Sequence, residues 1–253
     1  MNLSLNEFKT TDNLKNIVKD VILNHNMETK GFICKYCGKG FRKESTLAAH
    51  MCEPKRRAQQ ENEAGVVLGM TAYLRFFEIT QGSAKFKTYN DFSSSPFYNA
   101  FVKFGRHLIN IRAINTNKFI DWIIKQNKKL DHWCKDVHYQ EYLFEHLRTE
   151  SVQDAVERTI KTMEDWAAEH NSQFNHYFLY ASTNLITQQI ATGRISAWVV
   201  YNCNSGIACL DKLSPEQIEI VFPYIDTDFW KRKFVDYMAD TEWVKHILSE
   251  AHL

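Results

Sequence analysis

Glycine and proline are scarce, 9 and 4 among 253 residues. So few turn-formers argue against a β-rich fold with many tight reversals, and against an enzyme that cradles phosphate in a glycine-rich loop. No apolar run approaches the ~18 residues of a membrane span. The opening stretch MNLSLNEFKTTDNLKN lacks the apolar centre of a secretory signal, so the expected location is intracellular, cytoplasm or host cytoplasm. Charge of one sign is also lacking, since the net is +1. Hydrophobic content of 44% and charged content of 24% exclude a disordered or collagen-like chain.

The near-neutral total conceals a division. Residues 1–29 carry −1, residues 30–57 carry +6, and the remainder carries −4. A short basic segment on a mildly acidic body points to a polyanion meeting that segment. The six cysteines divide the same way: Cys34, Cys37 and Cys52 fall within nineteen residues, while Cys134, Cys203 and Cys209 are scattered. In a reducing compartment a tight cluster reads as metal ligands before disulfides.

Cys34 and Cys37 have the two-residue gap that lets one turn aim both thiolates at one ion, with Gly38 and Gly40 just after it. His50 follows after twelve residues, with Phe32, Phe41 and Leu47 placed around the pair. At these offsets the segment resembles the ββα zinc-finger family of two cysteines and two histidines, whose small core uses aromatics and a leucine in this order. The resemblance covers residues 32–52 and implies zinc. The departure is the last ligand, which is Cys52 after a single intervening residue. Positions two apart on a helix diverge by roughly 200°, so the helix must end near His50, in accord with Pro54. A tetrahedron of Cys34, Cys37, His50 and Cys52 follows, filled by protein and therefore structural. The run His50-Met51-Cys52-Glu53-Pro54-Lys55-Arg56-Arg57 is also similar to short fingers of tailed-bacteriophage proteins, and the body resembles no family.

By the same resemblance, the base-facing helix positions are Lys43, Thr46 and Ala49, of which Lys43 alone offers a directional contact to guanine. Phosphate contact is expected from Lys35, Lys39, Arg42, Lys43, Lys55, Arg56 and Arg57. The last three look misplaced at the start of a new helix, where cations oppose the helix dipole. The expected function is a zinc-binding, nucleic-acid-binding accessory protein of weak sequence specificity, with DNA before RNA as partner and no membrane. A helical body then provides protein contacts. The alternatives are a zinc-stabilised interaction or virion assembly component, and a nuclease-like enzyme; no catalytic residue stands out.

The expected fold is mostly α: a small ββα finger followed by an all-α helical domain. Residues 1–29 hold an amphipathic helix built on Leu14, Ile17, Val18, Val21 and Ile22, residues 30–57 the finger, 58–95 a connecting helix and loop, and 96–253 the helical domain. Gly65 and Gly69 weaken the connecting helix, and 82–95 reads as loop or hairpin. Later helices are expected at 96–109, 117–129, 139–147, one capped by Ser151, 174–192, 195–201, one opened by Ser214-Pro215, 226–237 and one capped by Asp240. Cys203 and Cys209 flank an expected turn and read as buried thiols. His132, Cys134 and His138, and the acids Asp154, Glu157, Asp165 and Glu169, read as ordinary helix residues.

Overall fold

The computed structural model describes Lys19, residues 31–82 and residues 87–253. The expected helix over 14–22 lies outside these residues, Lys19 excepted. Strands β1 (Phe32–Ile33) and β2 (Gly40–Phe41) pair antiparallel, Phe32 opposite Phe41 and Ile33 opposite Gly40. Two short helices follow, α1 (Glu44–Ala49) and α2 (Glu53–Gln59). The rest of the described chain is helical: the protein is mostly α with one small ββ element.

The helices gather around two apolar cores. The first is built from α3 (Ala64–Gln81), α4 (Tyr89–Ser94), α5 (Tyr98–Asn110), α6 (Thr116–Lys125), a 3-10 turn at Leu130–His132 and α7 (Asp136–Thr149). The segment expected to be a connector therefore belongs to a core: α3 supplies Val66, Ala72 and Tyr73. Its two glycines explain themselves here. A Cβ on Gly105 of α5 would fall 2.0 Å from the Gly65 carbonyl oxygen and 2.6 Å from the Gly69 nitrogen, so the helices cross backbone against backbone. Only glycine permits that approach, which outweighs the ~1 kcal/mol each costs in a helix. Trp133, in no expected helix, is buried edge-on against Phe101 and Phe104.

The second core is built from α8 (Val152–His170), a 3-10 turn at Phe174–His176, α9 (Tyr177–Tyr180), α10 (Thr183–Ala191), α11 (Ala197–Val200), α12 (Asn204–Leu210), α13 (Pro215–Ile225), α14 (Thr227–Asp236) and α15 (Met238–Glu250). Trp198 and Trp230 meet edge-on at its centre, 5.7 Å between rings. Tyr224 packs against both cores.

Several boundaries differ from the sequence reading, each for a local reason. Within 87–95 a helix replaces the loop, because Thr88 and Asp91 form a reciprocal capping box. The expected helix over 174–192 is broken at Ala181, where Ser182 caps α10 by accepting the Leu185 N–H. Cys203 caps α12 instead of opening a turn, and both it and Cys209 are buried. Asp240 lies in the first turn of α15, not at its cap.

The link between α7 and α8 carries a buried ion pair that no local pattern announced. Arg158 holds Glu150 through two bonds of 2.5 and 2.7 Å and donates to the Gly193 carbonyl at 2.6 Å. The Glu150 side chain is fully buried, and burial raises its carboxyl pKa despite the arginine. His146 stacks on Tyr142 beside it, and burial, with Arg158 and Lys118, lowers its pKa to about 4.

Candidate metal centre

The turn between the strands is shaped by two backbone bonds, Cys34 N–H to Lys39 O and Gly38 N–H to Cys34 O. Gly38 adopts φ 71°, which a side chain would resist. This knuckle brings Cys34 and Cys37 to one side. Helix α1 then stops at Ala49, with His50 at φ −69°, ψ 121° and Cys52 at φ −102°, ψ 163°, both extended. Leaving the helix swings Cys52 back toward the ring of His50, which the helical angle alone forbids.

The result is a compact donor set. The ligand atoms of Cys34, Cys37, His50 and Cys52 lie within 4.8 Å of one another. Cys34 Sγ is 3.9 Å from Cys52 Sγ, and Cys37 Sγ is 3.3 Å from His50 Nε2. In a tetrahedron with metal–sulfur bonds of ~2.3 Å, sulfurs stand ~3.8 Å apart, so these separations suit a single ion. Three thiols and an imidazole are a soft, borderline donor set that fits zinc-type ions and fits magnesium or calcium poorly.

The thiols themselves call for a cation. The Tyr36 N–H, outweighing burial and helped by the Cys37 N–H, holds the Cys34 thiol below its ordinary range. On Cys37 the Lys39 N–H pulls the same way, but burial and the sulfurs of Cys34 and Cys52 win and the thiol is raised. Cys34 therefore ionises more readily and Cys37 beside it less so, a conflict that a positive ion among them removes. Phe41 covers the His50 ring at 4.7 Å.

The expected phosphate contacts separate into two groups. Lys35, Lys39, Arg42 and Lys43 are exposed around the cluster, as is Thr46 on α1, and among the described residues none of these cations is paired with a carboxylate. Of the other three, Lys55 and Arg57 have work inside the protein. Lys55 Nζ donates to the carbonyls of His50 at 3.0 Å and Ala48 at 3.5 Å, stabilising the end of α1. Arg57 pairs with Glu53 at 2.6 Å, donates to the Ser93 carbonyl and stacks over Tyr98 at 4.3 Å. Arg56 pairs with Glu53 at 3.2 Å but stays exposed. These cations are therefore not misplaced: Arg56 and Arg57 lie in the last turn of α2, where the dipole favours them. The anchors Tyr89, Ser93 and Tyr98 lie more than thirty residues downstream, beyond any local sequence signal.

Elsewhere the chemistry does not converge. Among the described residues the Cys34, Cys37, His50 and Cys52 group is the one set of metal-type ligands. His138 bonds Glu141 at 3.1 Å, Lys161 pairs with Asp165, and Lys118 reaches Asp154. No helix among the described residues is long and apolar enough to cross a membrane. No known protein family, curated protein or solved structure matches this chain. The likeness to ββα fingers and to phage fingers thus rests on the residues of the segment alone.

Proposed function

We propose that residues 32–52 form a zinc finger of the ββα kind with a Cys-Cys-His-Cys ligand set, and that the protein is a nucleic-acid-binding accessory factor. The observation that supports it is the close convergence of Cys34, Cys37, His50 and Cys52 in a segment that also exposes Lys35, Lys39, Arg42 and Lys43. Zinc with three thiolates leaves a net charge of −1, which Lys35, Lys39 and Lys55 offset. All four positions belong to protein, so the metal's role is to hold the fold and not to activate water. Lys35, Lys39, Arg42 and Lys43 then face phosphates without strong base selection, because Thr46 and Ala49 on α1 offer few directional contacts. The helical body carries the protein contacts.

One experiment separates the parts of this reading. The purified protein should carry one zinc per chain, and log affinity for a short duplex should fall with log salt at a slope near −3.6, about 0.9 for each of four phosphate contacts. Metal content near zero sinks the finger. A zinc-loaded protein that binds neither duplex nor single strand at about 50 mM salt leaves a protein-docking finger. Exposed Ile33 and Met51, each 57% accessible, favour that second reading.

A further inference from the structure

Far from the metal cluster, a cavity of about 360 Å³ lies where the start of α8 meets α11, α14 and the end of α7. Its walls include Arg148, Ser151, Val152, Trp198, Lys233 and Asp240. The fully buried polar atoms of those walls that lack a partner are all donors. Trp198 is 1% exposed and its Nε1–H has no acceptor; the buried Nε–H of Arg148 has none either, its guanidinium lying between the Phe144 and Phe229 rings at 3.9 and 4.3 Å and facing Asp226. Both groups can only donate, and a buried donor left unpaired costs ~1–3 kcal/mol. A cavity bounded by orphan donors calls for an acceptor inside it.

Two further features favour an anion over neutral acceptors. Helix α8 runs for 19 residues and begins at this wall. Ser151 Oγ takes the Asp154 N–H, which leaves the Val152 N–H and its neighbour among the helix's unpaired first donors, at the positive end of the dipole. Lys233 is half-buried, donates to the Arg148 carbonyl, and its pKa is lowered by burial although Glu150 and Asp240 oppose this. Glu150 is already neutralised by Arg158, so Asp240 is the remaining carboxylate at the cavity.

We propose that this cavity binds a phosphoryl oxyanion, as free phosphate or as the terminal group of a phosphomonoester. The Val152 N–H of α8, Trp198 of α11 and Lys233 of α14 bring donors from three separate helices, a spread that the oxygens of a tetrahedral anion suit better than a planar carboxylate. The site is independent of the zinc finger and of what the finger binds.

The test is a titration of the full-length protein with inorganic phosphate at constant ionic strength, read by the indole N–H resonances of its six tryptophans. One indole signal should shift saturably, and it should be the one that W198F removes. K233Q, which keeps a donor for the Arg148 carbonyl, should weaken the response about tenfold, the loss of one charge-assisted bond. D240N should tighten it severalfold, a gain that misfolding cannot produce. A 5′-phosphorylated oligonucleotide, compared with its unphosphorylated form, distinguishes a nucleic-acid end from free phosphate. No indole shift with either probe, or equal affinity in wild type and K233Q, overturns the site.

Discussion

The basic segment and the helical body are held together by different physics. Between residues 31 and 59 one side chain is buried, Cys34, and it belongs to the metal cluster. The body buries two aromatic-rich cores, around Phe101, Phe104 and Trp133 in one half and Trp198 and Trp230 in the other. A segment this short cannot exclude enough apolar surface to offset its ordering entropy, so coordination must replace burial. The body needs no such staple. The two meet through α2, where Arg57 reaches Ser93 and Tyr98.

The largest effect that tests this contrast is metal removal. Structural zinc contributes ~10–16 kcal/mol to small fingers, so chelation should unfold residues 31–52 outright while the helical melt of the body stays in place. Loss of both in one transition breaks the comparison. In a chain beginning at residue 60 the body should remain folded, whereas one beginning at 85 removes α3 and opens the first core.

Within the body, Arg158→Met should cost about 3–5 kcal/mol, because it strands the buried Glu150 carboxylate. Denaturant unfolding at pH 7 reads the loss, and Glu150→Gln in the same background should restore part of it. Gly105→Ala should cost about 3 kcal/mol by driving a methyl group into the α3 backbone. A variant as stable as wild type would show that the helix crossing has room to relax.

The smallest effect is in pH. His146 is neutral in the fold down to about 4, against ~6.5 unfolded. Above pH ~6.5 the ring is neutral in both states and contributes no pH dependence. As pH falls from there toward 4 the unfolded chain takes the proton first, so stability drops, by about 2 kcal/mol between pH 7 and pH 5. Glu150, with its carboxyl raised, works in the opposite sense at the acid end. His146→Gln should flatten this window, while any metal held by Cys34, Cys37, His50 and Cys52 should be lost on acidification in both proteins as the thiols take up protons.

Local signals carried much of the description. The Cys-x-x-Cys turn, the twelve-residue gap to His50 and the forced helix end before Cys52 place four ligands from spacing alone, because all lie within nineteen residues. Helix starts at Ser151 and Ser214 were legible for the same reason: a cap acts on the next three residues. The Thr88 box is equally local, but its polar neighbours read as loop, and the Ser182 cap lies inside an apolar run that reads as one helix.

What only the tertiary structure decided involves partners far apart in the chain. Gly65 and Gly69 read as weaknesses until Gly105 faces them across a helix crossing. Lys55 and Arg57 read as phosphate ligands until the end of α1 and the rings of the first core take them up. Lys233 meets Arg148 across 85 positions, and Trp198 closes the same cavity. Periodicity and capping report on a residue's neighbours within a turn or two. Which charge is spent inside the fold, and which donor is left wanting an acceptor, depends on packing between helices that no local pattern encodes.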